Sequence, residues 1–282
     1  MTDLERIADL SMRFGGSYMA DFGAPKSRHD FTQYQLMSCL ILKAYLKTTY
    51  RGVLDILASS ESLRQALLLD RKLPHYTTLQ KFNARSDVMQ IAAEIMRRIG
   101  KELTQRGGSD AVALDATGLE SCVASAHFVA RSGHTRSRWV KVSVSVVCGV
   151  LLPLAMVVDW GPTNDKVQAR ALLEQTWANA NPQVLYADAG YDAEWIHQWV
   201  HSHQSQSIIN PVLHRKDGTL GGQLRSGMTS ERLKQARYGR RWNVECFFSA
   251  LKRKVGSTLS SRKDDMLLKE AIWKVLAYTL HR

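Results

Sequence analysis

Three acidic residues of this sequence have the type and placement that metal-dependent chemistry requires. Asp115 follows the apolar run AVAL and Asp188 follows the apolar run VLYA, so each aspartate is predicted to stand where a strand ends. Carboxylates at strand ends reach the edge of a sheet, where α/β proteins usually hold ligands. Either aspartate alone is as well explained as a turn former or a helix cap. Two of them in one region, followed by Glu245 on a predicted helix, indicate a shared site.

Glu245 lies in a segment that also carries an aromatic and two basic side chains. On a helix that advances by roughly 100° per residue, four residues of this segment share one narrow face: Tyr238, Arg241, Glu245 and Lys252. The adjoining face is apolar and is predicted to pack on the sheet; it contains Phe247, Phe248, Leu251 and Val255. The alternative is an ordinary ion pair of Arg241 with Glu245 on a solvated helix, worth about 0.3 to 0.5 kcal/mol.

The donor types of this acidic set favour hard cations. Three carboxylates without a histidine or cysteine ligand pattern suit Mg²⁺ best. Two such ions, roughly 3.5 to 4 Å apart, activate a nucleophile and stabilise the leaving oxygen when a phosphodiester is attacked. Arg241 and Lys252 would then hold phosphates. An aspartyl-nucleophile phosphatase is a weaker alternative, because that chemistry generally needs a second acid where Thr117 stands.

The elements that must position these residues change character near residue 107. Apolar residues recur at helical spacing before the Gly107-Gly108 break, which predicts an all-α domain over residues 1–107. Residues 108–282 then predict three consecutive strands, helix, strand, helix, strand and helix, an α/β domain with a mixed sheet. Within it we expect a short loop insertion around 210–230, a long helix over about 230–256 and a closing helix over about 264–281.

A second candidate site lies in the helical part. In RKLPHYTTLQKFNAR, a short turn precedes a predicted Thr-capped helix that bears Lys81 and Arg85. A basic helix after a tight turn would suit a reader of a DNA groove. Plain helical packing is the alternative.

The composition limits the classes of partner and the cellular compartment that we expect. The 282 residues contain 38 Lys and Arg against 26 Asp and Glu, a net charge of +12, and 45% are hydrophobic. A folded chain with this excess of positive charge favours a polyanionic partner, most economically nucleic acid. Its basic runs, such as Arg131 to Lys141, are equally explained as solvated faces.

The four cysteines form no CxxC pair, and the chain shows neither a signal peptide nor a membrane span, so we expect a cytoplasmic protein without a membrane partner.

The spacing of the acidic segment resembles a known signature. Tyr238, Arg241, Glu245 and Lys252, separated by two, three and six residues, resemble the YREK signature of bacterial and archaeal insertion-sequence transposases of the DDE class. LDATGLE around Asp115 and YADAGYDAE around Asp188 are similar to the two aspartate strands of that family. The resemblance covers the chain from about residue 30 onward.

This resemblance implies an RNase H-like catalytic core that cuts and joins DNA at the ends of a mobile element. It implies Asp115, Asp188 and Glu245 as catalytic, metal-binding acids with two Mg²⁺ or Mn²⁺ ions per active site. Tyr238, Arg241 and Lys252 would contact the DNA, and Trp242 would stack on a base or pack on the helix surface.

The same resemblance implies the partners of the chain. These are double-stranded DNA, as terminal inverted repeats and target, and at least a second copy of the chain in a dimer or a larger assembly on paired ends. The helical domain would bind the DNA ends or dimerise. We expect a prokaryotic protein associated with the nucleoid through DNA, and the alternative is a transposase-derived DNA-binding protein or a defective copy that no longer cuts.

Overall fold

The computed structural model describes residues 1–26, 28–108, 110–121, 139–212 and 220–282. Arg131, Arg136 and Arg138 of the basic run lie outside the described residues, as does the 213–219 part of the predicted insertion. The chain divides into two compact units. The first comprises Met1–Ile95, Glu120–Phe128 and Leu251–Arg282; the second comprises Met96–Leu119 and Val129–Ala250. A domain boundary near residue 107 stays a prediction.

The described residues of the first unit are mainly helical, and an all-α domain over residues 1–107 stays a prediction. The helices of this unit are α1 (Asp3–Gly16), α2 (Gln33–Tyr45), α3 (Tyr50–Ser59), α4 (Glu61–Ala66) and α5 (Tyr76–Asn83), followed late in the chain by α12 (Asp264–His281). Capping boxes at Thr2 and Thr32 satisfy backbone N–H groups at the starts of α1 and α2. The short strand β6 (Thr258–Leu259) pairs with Glu120 and Ser121. Helix α6 (Val88–Gln105) connects the sequences of the two units.

The second unit is built on a mixed sheet. Its strands are β1 (Ala111–Ser121), β2 (Trp139–Val147), β3 (Pro153–Gly161), β4 (Val184–Ala187) and β5 (Gln206–Ile209). They lie in the order β3-β2-β1-β4-β5. The first three strands pair antiparallel, whereas β1 with β4 and β4 with β5 pair parallel. The α/β class, the mixed sheet and the three consecutive strands are therefore confirmed, and those three strands form an antiparallel meander.

Helices follow the strands of this sheet. They are α7 (Asp165–Asn179), α8 (Glu194–Ser202), α9 (Gln223–Ser226), α10 (Ser230–Gln235) and α11 (Trp242–Val255). Helix α7 packs on β2 and β3, and the core beneath it includes Leu154, Leu172 and Leu173, all fully buried. The apolar face predicted for α11 is also buried: it consists of Phe247, Phe248, Leu251 and Val255.

The predicted long helix over 230–256 is wrong. Helix α10 ends at Gln235, Arg237 adopts a left-handed conformation with φ of 55°, and a 3₁₀ turn over Tyr238–Arg241 precedes α11. A continuous helical wheel therefore does not describe the first two signature residues. The left-handed residue redirects the chain, which an α-helix of L-residues cannot do without ending.

The predicted threonine cap of the helix that bears Lys81 is also wrong. The residue before α5 is His75, and it makes no side-chain cap bond, so α5 is not Thr-capped. Asp192 is a second cap candidate in the sequence, before the helix in YDAEWIHQWVHSH, but the residue before α8 is Ala193 and Asp192 does not cap that helix. The buried Asp192 carboxylate instead accepts hydrogen bonds from Arg225 and from the backbone N–H of Val212, because a buried charge is stable only with such partners.

Candidate active site

Asp115 and Asp188 are brought together by the register of two parallel strands. The last residues of β1 and β4 that pair are Leu114 and Ala187, so the two aspartates follow at equivalent positions on neighbouring strands. Strand β1 does not end at Asp115, as the sequence suggested, but continues to Ser121, with Asp115 opposite Val144 of β2. What ends at Asp115 is its pairing with β4. The edge that presents the two carboxylates thus lies where β4 ends, at Ala187, while β1 continues.

The electrostatic surroundings of Asp115 favour a bound cation. The pKa of Asp115 is raised to about 6: burial is the largest cause, the charges of Asp188 and Asp165 also raise the pKa, and a hydrogen bond from Ala116 N–H and the charge of Arg241 lower it. Carboxylates that share a desolvated site repel each other unless a proton or a metal ion offsets their charge. The pair can therefore hold a hard cation.

Asp188 is held by the turn that follows it. Its side chain caps the 3₁₀ turn Ala189–Tyr191 by accepting a hydrogen bond from the N–H of Gly190. Tyr191 in this turn is fully buried, and its pKa is raised by burial and by the charges of Asp165 and Asp115. The turn therefore lies among three aspartates.

The third of these aspartates, Asp165, lies beside the Asp188 turn, and the sequence did not predict its partner. The sequence offers Asp159, Asn164 and Asp165 either as residues of the same sheet edge or as caps of the following helix, with the cap favoured, and it is Asn164 that makes the cap bond. Asp165 instead pairs with the buried Lys141, with 2.7 Å between Nζ and Oδ1. The signal was a lysine inside the strand WVKVSVSVV, because a lysine on a strand that is buried nearly throughout needs an acidic partner.

The 3₁₀ turn Tyr238–Arg241, which we call the signature turn, and the chain just before it are joined to β4 by side-chain hydrogen bonds. Tyr238 donates its hydroxyl hydrogen to the carbonyl of Ala187 at 3.1 Å, and Tyr186 donates to the carbonyl of Ala236 at 2.9 Å. Arg241 lies close enough to Asp115 to affect its pKa. The segment that carries the signature is therefore anchored beside both strand aspartates.

Glu245 does not join the aspartates directly. Its Oε1 lies 2.6 Å from Arg241 Nη1, and its side chain is 45% exposed against 16% for Arg241. The ion pair that the sequence offered as the alternative is thus the observed contact. Across the described parts of the chain, no three histidine, cysteine, aspartate or glutamate residues lie close enough to hold a metal ion together.

The remaining predicted site residues lie at separate places. Trp242 is 63% exposed at the start of α11, and Lys252 lies in the last turn of that helix, in the first unit. Lys81 is exposed on α5, whereas Arg85 lies beyond the end of that helix and bonds Gln33 and Asp87. Arg85 therefore has partners within its own unit.

The comparison with protein families shows which family the chain belongs to. Residues 106–280 match the family model described as the transposase DDE domain. Because the match covers more than half of the chain, the chain belongs to this family and is a DDE-type transposase. The family implies a nuclease or transferase that acts on DNA. A search of curated proteins returned no match. No helix in the described ranges is long and apolar enough to cross a membrane.

Proposed function

We propose that this chain cuts and joins DNA strands at the ends of an insertion sequence, with Asp115, Asp188 and Glu245 as its catalytic acids. The observation that carries the proposal is the strand register that sets Asp115 beside Asp188. The Tyr238 hydrogen bond to Ala187, which holds the signature turn on the same strand, supports it. The strand order β3-β2-β1-β4-β5, antiparallel and then parallel, supports an RNase H-like core.

The oxygen donors at this edge fit the divalent ions that the family generally uses. Asp115 and Asp188 would hold Mg²⁺ or Mn²⁺, two ions per site with Glu245. When bound, these ions supply a nucleophile at neutral pH and stabilise the leaving oxygen of the phosphodiester. The raised pKa of Asp115 supports this role: its causes are first burial and then the charges of Asp188 and Asp165, and a bound cation would offset the cost of both.

Arg241 and Glu245 act as a pair that exchanges partners. To join the two aspartates, the Glu245 carboxylate must leave the Arg241 guanidinium. A DNA phosphate offers Arg241 a replacement partner, because the planar guanidinium binds phosphate bidentately. The Glu245 side chain is 45% exposed, and we infer from this exposure that it can turn away from Arg241. Substrate binding and completion of the acidic set would thus be coupled.

The basic and aromatic residues of the sequence prediction would serve DNA binding. Lys252 would contact a backbone phosphate, and the exposed Trp242 offers a face for an unstacked base. Lys81 would contact DNA from the helical unit. Of these candidates Arg85 is least suited, because its guanidinium already has an acidic partner, Asp87. The partners would be terminal inverted repeats and target DNA, bound by a dimer or a larger assembly.

An excision assay tests this function. A marked DNA segment, bounded by the sequences that flank the gene, is placed on a plasmid with the chain, and excision is scored. Asp115→Asn, Asp188→Asn and Glu245→Gln should each abolish excision while binding to the end sequences is largely kept. The control Glu174→Gln replaces a carboxylate whose side chain is 60% exposed on α7 and should excise normally. Excision at the unmodified rate by all three active-site variants would refute the proposal.

A further inference from the structure

Two charged residues beside the aspartates have no part in the chemistry described above. The Lys141 side chain is only 7% exposed, and its Nζ donates to Asp165 Oδ1 at 2.7 Å and to the Thr163 carbonyl at 2.6 Å. Removing an ammonium group from water is costly unless well-placed partners compensate. Lys141 therefore fixes where Asp165 and the start of α7 lie.

The second oxygen of Asp165 packs against the turn that carries Asp188. A methyl group built on Gly190 would lie 2.6 Å from Asp165 Oδ2 and 3.2 Å from Asp188 Oδ1. The two carboxylates thus flank one α-carbon, and the N–H of the same residue donates to Asp188 Oδ1. Asp165 leaves the turn no room to move toward it.

We propose that Lys141 and Asp165 are positioning residues that hold the Asp188 carboxylate in its working orientation. Lys141 fixes Asp165, Asp165 confines Gly190, and the N–H of Gly190 orients Asp188. The inference rests on the proposed function, because it takes Asp188 as a metal-binding acid. It assigns a role to a buried ion pair that the signature does not include.

Loss of the Lys141 charge and loss of its positioning role predict opposite changes in the affinity for a divalent cation. Lys141→Met removes a positive charge beside the acids, so through-space electrostatics alone would tighten the binding of a divalent cation. Loss of positioning would weaken it, because groups that orient a metal ligand typically contribute about 10-fold to 100-fold in affinity. The sign of the change therefore separates the two explanations.

The decisive variant is the double substitution Lys141→Met/Asp165→Asn. It removes one charge of each sign and leaves the net charge unchanged, and replacing a whole buried ion pair is far better tolerated than removing one partner. Binding of Mn²⁺ alone to the full chain is measured by electron paramagnetic resonance of the free ion. Circular dichroism confirms folding before each titration. Glu174→Gln is the matched control, since it alters an exposed ion pair on the same helix.

We expect the double variant and Lys141→Met each to bind Mn²⁺ about 10-fold more weakly than the unmodified chain. The control should keep the unmodified affinity. The loss in the double variant should be no greater than that of the single variants, because both residues act through one chain of contacts. Unchanged or tighter Mn²⁺ binding by the folded double variant would overturn the inference.

Asp188→Asn separates this inference from the proposed function. If Asp188→Asn loses both Mn²⁺ binding and excision while the double variant keeps both, the positioning role alone is refuted. If Asp188→Asn keeps both, the proposed function fails and the positioning role fails with it.

Discussion

The hydroxyl of Tyr238 is bonded to the carbonyl of Ala187, the residue immediately before Asp188. The first residue of the signature thus holds the backbone that presents the second strand aspartate. This contact depends on the left-handed Arg237, which ends the preceding helical path and starts the turn that contains Tyr238. The signature tyrosine is therefore part of the architecture of the acidic edge.

Tyr238→Phe should lower activity more than stability. The substitution removes one hydrogen bond, which is worth about 1 kcal/mol in unfolding free energy, but it releases the turn from β4. We expect excision to fall about 10-fold or more, since small displacements of a catalytic constellation reduce rates strongly. Chemical denaturation and the excision assay measure the two effects.

Tyr50→Phe is the control for this prediction. It removes a hydroxyl that accepts a hydrogen bond from Asn83 at 2.7 Å in the helical unit. We expect a similar loss of stability with excision unchanged. Equal excision by Tyr238→Phe and Tyr50→Phe would contradict the role given to Tyr238.

Gly190→Ala should disturb the acidic edge without a large effect on folding. The new methyl group would meet the carboxylates of Asp165 and Asp188 at 2.6 and 3.2 Å, so one of them must shift. Overpacking of this kind typically costs about 1 to 3 kcal/mol. We expect excision to be lost while thermal unfolding remains cooperative.

Gly239→Ala provides the comparison for Gly190. Gly239 lies in the turn Tyr238–Arg241, and a methyl group built on it would have no neighbour within 4 Å. The same substitution at this glycine should leave both stability and excision nearly unchanged. A normal excision rate for Gly190→Ala would show that the turn tolerates displacement.

The sequence predicted that Asp115 and Asp188 follow apolar strand residues, but it did not predict the geometry around them. Apolar runs ending in Asp115 and Asp188 placed both residues at the sheet edge, because strand periodicity is a local property. The sequence could not show that β1 continues past Asp115, since that end of pairing depends on the length of β4. Nor could it show the break at Arg237, where a non-glycine residue adopts a left-handed conformation. Tertiary contacts of the turn determine that conformation.

The Lys141–Asp165 pair illustrates the same limit. Each residue has an ordinary local explanation, as part of a basic run and as a helix cap. Their contact joins a strand to a helix that begins after the next strand. Only the register of β2 with β3 and the packing of α7 bring them together.

Arg241→Gln and Glu245→Gln should cost little stability. Glu245 is 45% exposed, so its ion pair is screened by water and contributes no more than about 1 kcal/mol. Both variants should nevertheless lose excision, Glu245→Gln because it removes a proposed catalytic acid and Arg241→Gln because it removes a proposed phosphate contact. Urea denaturation alongside the excision assay checks this. A large loss of stability would instead indicate a structural ion pair.

The buried Glu270 predicts how the stability of the helical unit depends on pH. Burial raises its pKa, but hydrogen bonds from Ser260 and Ser261 and the charge of Lys43 outweigh burial, so the pKa lies below the ordinary value of 4.5. A carboxylate with a lowered pKa stabilises the fold above the unfolded-state pKa, and this contribution is lost as the pH falls through the folded-state pKa.

Glu270→Gln should therefore destabilise the chain at pH 7 and much less in acid. Hydrogen bonds to a charged group contribute about 1.5 to 3 kcal/mol, which sets the expected difference in unfolding free energy at neutral pH. This difference should shrink as the pH falls below 4.5, where the unfolded chain begins to bind the proton first. Glu61→Gln, on the exposed start of α4, should show almost no difference at either pH. Urea unfolding of both variants between pH 3 and pH 7 measures it, and a Glu270→Gln deficit that does not change with pH would contradict the charged state assigned to Glu270.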